Sequence, residues 1–365
     1  MIAAYADECM NEQTMITALL LGTMLIGIWW GFRYKSKVVS LVGPGPLIFI
    51  SAVILLRMYL PFEFRFTRHI YCKGILNGLF HLFCREIRMA SFSMTVAQFL
   101  EEIWAVGVIL LFLRKLNVYL YFQWKIGKME PLPEKIINQC LKDIQLPRGF
   151  HRIRIVLTDR CESPYIMGLF RVAIVLPDWG WDLEKLSYAL KHEISHFRYR
   201  DLWVKAVVDF LETLLWWNPF VSFLKKETFR MMEIRNDLRV TSRLNNEEKA
   251  KYLECLVYVV SKIQENTPQC SMGFAKKSVR DLKERMEIIV HPPRQGSKAG
   301  RLAGLLMGAM ILSTTAVVFE PTLEQEKILT MPMATQYTVE KAENKKGRSE
   351  KLPEERQHAD ISTGA

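Results

Sequence analysis

LEKLSYALKHEISHFRYRDLW, residues 183–203, sets the reading of the whole chain. Leu186, Leu190, Ile194 and Phe197 recur at helical spacing and give this segment one apolar stripe. The same helix carries His192 and His196 at i and i+4, one turn apart on one face. Two imidazoles so placed can both reach a zinc ion at about 2.0–2.1 Å. Glu193 follows His192 at roughly 100° round the helix, so it stands beside such an ion rather than on it. From there it can take a proton from an attacking water and pass it to a leaving amine. His192 and His196 are therefore candidate metal ligands, and Glu193 is the candidate catalytic base.

A catalytic zinc needs a third protein ligand. Glu233-Ile234-Arg235-Asn236-Asp237 places two acids one turn apart on a later helix. Glu233 could bind the metal, and Asp237 could accept a hydrogen bond from a ligating imidazole. Acids at this spacing also occur on ordinary solvated helices, so the spacing alone leaves both readings open. Arg198, Tyr199, Arg200 and Asp201 read as the solvated end of the active helix.

Working outward, the segment upstream mixes elements. Pro133–Leu141 is helical in pattern, Ile153–Leu157 and Val172–Leu176 are strand-like, and Cys161–Pro164 and Gly168 mark turns between them. Downstream, helices are expected over Trp203–Trp217, ending at Asn218-Pro219, then Phe220 to about Leu244, and Glu247–Ile263.

Composition places this segment in a membrane protein. The chain of 365 residues is 50% hydrophobic and 24% charged, with a mean hydropathy of +0.06, a mean that hides very apolar stretches among polar ones. The net charge of +11 sits beside those stretches: Arg33, Lys35 and Lys37, then Arg114 and Lys115, then Lys298 and Arg301. No basic recognition helix is present, so membrane flanks explain the charge and direct nucleic-acid binding is not expected. Four apolar runs are candidate spans: 15–32, 38–60, 96–113 and 302–319. The first is led by Asp7, Glu8 and Glu12, unlike a signal peptide, and reads as uncleaved. The basic turn 33–37 then lies in the cytoplasm, as does the long segment between the third and fourth spans.

The expected domains are 1–124, a membrane region; 125–299, a cytoplasmic catalytic domain; 300–319, the fourth span; and 320–365, a polar, disordered outer tail. Glu101 and Glu102 read as headgroup-boundary acids and Arg57 as snorkelling. Ile70–Phe83 reads as an interfacial or re-entrant helix. Cys72 and Cys84 could bridge or stay free, and the scattered cysteines spell no zinc ribbon.

SPYIMGLFRVAIVLP (163–177), HEISHFRYRDLW (192–203), WWNPF (216–220) and EIRND (233–237) together resemble the BlaR/MecR-type membrane metallopeptidases in motif order and spacing. The resemblance implies a mainly α membrane protein, with four transmembrane helices and an α+β, gluzincin-like zinc metallopeptidase domain inserted between the third and fourth. It implies Zn2+ held by His192, His196 and Glu233, catalysis by Glu193, and support from Asp237. Val172, Ala173, Ile174 and Val175 would form an edge strand on which a protein substrate lies extended. It further implies a bacterial cell-membrane protein that cleaves a cytoplasmic transcriptional repressor, itself, or both, with Lys276–Lys298 a region open to self-processing. Two departures stand out. Asn236 replaces the cysteine usual in the family. Only about 45 residues follow Phe319, without an SxxK motif, so no penicillin-binding sensor domain is expected. A housekeeping membrane protease and a non-catalytic receptor are the competing readings.

Overall fold

The first apolar run folds as helix α1 (Glu12–Arg33). Residues 38–60 do not form one helix: α2 (Lys37–Val42) and α3 (Pro44–Tyr59) are separated at Gly43, whose φ of 84° is the left-handed conformation that glycine adopts at no steric cost. Helix α4 (Val96–Gly127) runs well past the expected end at 113. At 32 residues it is, among the described residues, the one helix long and apolar enough to cross a membrane. Ile16–Trp29, Pro44–Tyr59 and Gly304–Ser313 are shorter apolar helices. This computed structural model describes residues 12–321, apart from 34–36, 60–66, 73–77, 79–81, 83–85, 90–91, 143–145, 148, 160, 267–271, 294–297 and 315.

The chain divides into two compact units, residues 1–68 with 98–318, and residues 69–97 with 319–365. In the smaller unit β2 (Glu86–Met89) and β3 (Phe92–Thr95) pair antiparallel. Ile70–Cys72, expected to be helical, belongs to strand β1 (Arg68–Cys72). The possible Cys72–Cys84 bridge and the tail beyond residue 321 lie outside the described residues.

The larger unit carries the motifs. Its sheet comprises β4 (Arg154–Thr158), β5 (Tyr165–Met167) and β6 (Ala173–Pro177), in the order β4-β6-β5. β6 runs parallel to β4, Ile155 opposite Ile174, and antiparallel to β5, Ile166 opposite Ile174. This corrects the edge-strand expectation for Val172–Val175. Val172 lies just before β6, and Ala173, Ile174 and Val175 are in the central strand. The reason is legible in AIVLP itself, buried at all five positions, as a strand covered on both faces requires. The outer strands are β4, bridged by Pro131 at Val156, and β5, which has no second strand beside it among the described residues and lies between the turns expected at Cys161–Pro164 and Gly168.

After α5 (Glu134–Cys140), the helices are α6 (Leu183–Arg198), α7 (Asp201–Leu214), α8 (Pro219–Thr241), α9 (Asn246–Asn266) and α10 (Met272–Val290). Much of the stretch singled out for self-processing is therefore the helix α10. The last apolar run forms α11 (Lys298–Ser313), and 317–321 is strand β7 (Val317–Pro321) rather than helix. Thr314-Thr315-Ala316-Val317-Val318, rich in β-branched residues, favours that switch.

Two cores position the site. Leu186, Leu190 and Ile194 of α6 pack with Ile155, Ile174 and Leu176 of the sheet and with Cys140 and Leu141. Each such side chain, fully buried, contributes about 1.5–3 kcal/mol. A second cluster joins Leu25, Ile26 and Trp29 of α1, and Leu47, Ile54 and Met58 of α3, to Val221, Leu224, Met231, Met232 and Ile234 of α8.

Candidate metal centre

Helix α6 starts at Asp182, whose carboxylate accepts from the Lys185 backbone N–H at 2.7 Å, an ordinary N-cap. With its apolar stripe fixed on the sheet, His192 and His196 face α8. There Glu233 Oε2 lies 3.3 Å from His192 Nε2 and 3.5 Å from His196 Nε2. One donor atom from each of these three residues lies within 4.8 Å of the others. Ligand atoms tetrahedrally placed at zinc bond lengths are about 3.4 Å apart, so the spacing fits a single small ion.

Each imidazole is fixed from behind. His196 Nδ1 donates to Asp201 Oδ2 at 3.0 Å. The Tyr252 hydroxyl donates to Asp237 Oδ1 at 2.7 Å, leaving its oxygen to accept from His192 Nδ1 at 2.8 Å. Both rings thus keep a proton on Nδ1 and turn Nε2 toward Glu233, the nitrogen that a metal ion would take in exchange for any second proton. Asp237, expected to hold a ligating imidazole, lies 3.4 Å from His192 Nδ1 and also acts through Tyr252.

The buried carboxylates are themselves paired. Arg285 of α10 grips Asp237 through Nε at 2.6 Å and Nη2 at 2.7 Å. Burial raises the Asp237 pKa, but the Arg285 charge and hydrogen bonds outweigh it and hold the carboxyl at about 2. Asp201 is fully buried, which overturns its reading as part of a solvated helix end. It faces Arg235 at 3.0 Å and Arg239 at 3.4 Å, and with His196 these cations keep its pKa lowered against desolvation. Arg200 makes the geometry possible: its left-handed φ of 56° turns the chain abruptly between α6 and α7 and folds Asp201 back onto His196.

Glu233 uses its second oxygen elsewhere. Lys205 Nζ of α7 sits 3.0 Å from Oε1. Desolvation would raise the Glu233 pKa, but Lys205 and the two histidines hold it well below the usual range. Asn236 donates from Nδ2 to the His192 backbone oxygen at 3.0 Å, tying α8 to α6. Glu193 is buried and, with His192 and Glu233, lines a cavity of about 430 Å³ whose far wall includes Leu256, Val259 and Ile263. Ser163 and Pro164, just before β5, line the same cavity.

The structure thus brings together the predicted His192, Glu193, His196, Glu233 and Asp237, while the strand predicted for substrate packs under the same helix and does not line their cavity. Asp201, Lys205, Tyr252 and Arg285 are the additions. Asp201 carried a signal in its place five residues after His196. The other three carried none, since only tertiary packing brings them to the site.

Fold and donor set define a mostly helical protein with a metallopeptidase-type centre. Residues 84–289 match the BlaR1 peptidase M56 family, and the chain belongs to that family. It is 25% identical over 251 residues to the regulatory protein BlaR1 of Bacillus licheniformis, covering 64% of this chain and 40% of that protein. It is likewise 25% identical over 196 residues to the methicillin resistance mecR1 protein of Staphylococcus aureus, covering 51% of this chain and 32% of that protein. The chain therefore spans well under half the length of these curated relatives.

Proposed function

We propose that this chain is an integral membrane zinc endopeptidase, with His192, His196 and Glu233 as ligands and Glu193 as general base. The observation that carries the reading is the donor cluster itself. Its three metal-facing atoms are correctly spaced, the Nδ1 atom of each imidazole is engaged from behind so that Nε2 faces the cluster, and Glu193 is one helix position away. Zinc held there supplies a Lewis acid for the scissile carbonyl and the attacking water. Glu193 accepts the water's proton and returns it to the leaving nitrogen. Asp201 and the Tyr252–Asp237 pair keep the imidazoles from rotating. The open side of β5, which has no strand beside it among the described residues, offers an edge for an extended peptide entering beside Pro164.

We further read α1, α2–α3, α4 and α11 as the membrane region, with the peptidase segment between α4 and α11 facing the cytoplasm. Basic residues bordering the apolar runs support this orientation. Membership of a family whose relatives are called regulatory and resistance proteins favours a signalling role, the substrate being a cytoplasmic repressor or the chain itself. The test is Glu193→Gln in the full chain. Zinc content is expected to stay at one equivalent, while cleavage of a co-encoded repressor falls by about 10²–10⁴-fold. Cleavage that survives the change at wild-type rate sinks the proposal.

A further inference from the structure

We infer that the α7–α8 hairpin is itself a membrane element, whose corner at 215–220 dips into the hydrocarbon of the bilayer. The inference rests on the reading of α1 and α4 as membrane spans. Three contacts set the corner's depth against those helices. Trp104 Nε1 of α4 donates to the Leu214 carbonyl at 2.6 Å. A Cβ at Gly107 would lie 2.7 Å from the Trp216 ring, so the indole fills the notch that this glycine leaves in α4. Asn218 Nδ2 donates to Thr23 Oγ1 at 2.8 Å, and Thr23 is midway along α1.

Lys115, which closes the apolar run of α4, marks the boundary. It bonds Glu212 at 2.9 Å and the Asp209 carbonyl at 3.1 Å, one to two turns before the corner. Gly107 lies eight residues deeper, about 12 Å along the helix. That approaches the midplane of a hydrocarbon layer about 30 Å thick.

The hairpin has the surface and the hydrogen bonding that such a place demands. Val207, Phe210, Trp217, Phe220 and Phe223 are exposed, an apolar face that water would not favour. Lys225 pairs with Asp209 at 2.5 Å and Glu212 at 3.1 Å, and Lys226 lies over the Phe223 ring at 5.7 Å. Non-helical backbone in lipid must find its partners within the protein. Here the carbonyls ending α7 are met by Trp104 Nε1 at Leu214 and by the Tyr59 hydroxyl at Leu211. The start of α8 is capped by Asn218 Oδ1 accepting from Phe220 N–H at 3.0 Å, and Pro219 has no N–H to satisfy. The partner of this surface is therefore the acyl-chain interior of a bilayer. Glu233 stands eight residues beyond Lys225 along α8, about 12 Å, so the metal site faces peptides held close to the membrane surface.

The test uses the full chain in phosphatidylcholine–phosphatidylglycerol nanodiscs. Azidophenylalanine is placed singly at Trp217, Phe223, Ile109 of α4 and the exposed Val257 of α9, and each is coupled to a nitroxide. Relaxation by oxygen, which partitions into lipid, is compared with relaxation by a water-soluble nickel chelate. Positions 217 and 223 are expected to match 109, with oxygen dominant, and to differ in the opposite sense from 257. If 217 and 223 behave as 257 does while 109 stays oxygen-dominated, the hairpin inference is overturned and the span reading stands. Nickel access at 109 overturns both. Should the change at 217 prevent folding, position 223, within α8, decides alone.

Discussion

Replacing Asp201 by asparagine tests how the centre is held. Asp201 accepts on both sides: Oδ2 accepts from His196 Nδ1–H, while Oδ1 accepts from Arg235. A carboxylate can do this because both its oxygens are acceptors. An amide has an acceptor on one side only, so in either orientation its NH2 group meets a donor. The isosteric variant therefore removes a charge and sets donor against donor at a fully buried position. Loss of such a partner behind a ligating histidine costs about 10–100-fold in metal affinity, or about 1.4–2.8 kcal/mol. Stability of the metal-free chain also falls. Arg235 and Arg239 side chains are 22% and 23% exposed, so water compensates them in part, and the loss is about 1–3 kcal/mol rather than the 3–5 of a wholly buried pair. The assay is zinc titration of stripped protein against a chromogenic chelator, with denaturant unfolding alongside. Affinity within about twofold of the parent, in a chain that still folds, would refute the role assigned to Asp201.

Lys205→Met frees the second oxygen of Glu233, and the cobalt-substituted protein is expected to lose visible absorption as coordination rises above four; an unchanged spectrum argues that Lys205 does not govern how Glu233 binds. His192 gives a proton signature. Burial disfavours its charged form, but the Asp237 and Glu233 carboxylates prevail and raise its pKa from 6.5 to about 9. Since the folded value is the higher one, the ring is protonated at pH 7.5 before metal binds. Zinc binding then expels about one proton, an effect that fades above pH 9; calorimetric heats identical in two buffers of different ionisation enthalpy would contradict this. Tyr252→Phe leaves the His192 Nδ1 proton facing Asp237 at 3.4 Å and should weaken zinc binding less than Asp201→Asn does, by about tenfold or below. Gly107→Ala forces a methyl against the Trp216 ring and should destabilise the chain by about 1–3 kcal/mol in detergent unfolding.

The sequence made the chemistry more legible than the architecture. HEISH and Glu233 could be read because helix periodicity alone decides which side chains share a face, and α6 and α8 are regular. The strand AIVLP was also visible, but its place in the sheet depends on a three-residue neighbour, Tyr165–Met167, too short to show alternation. Asp201 looked solvated because Arg198 and Arg200 flank it; only the left-handed turn at Arg200 sends its carboxylate inward. Gly43-Pro44 was written plainly in the second apolar run, yet run length outweighed it, and the helix breaks there. Tyr252 and Arg285 reach the centre from helices some 60 and 90 residues downstream of His192, at distances no local pattern encodes.

The cluster shared by α1, α3 and α8 has a consequence for inheritance. Met232 and Ile234, which flank Glu233, and Met231 beside them are packed in the same interior as Leu25, Ile54 and Leu55. The floor beneath the third ligand is thus laid by α1 and α3, far in sequence from any catalytic motif. Variation there is not variation in an anchor. A changed volume at Ile54 or Leu55 is transmitted to the carboxylate through close-packed side chains, so α1 and α3 evolve under the constraints of an active site while containing none of its chemistry.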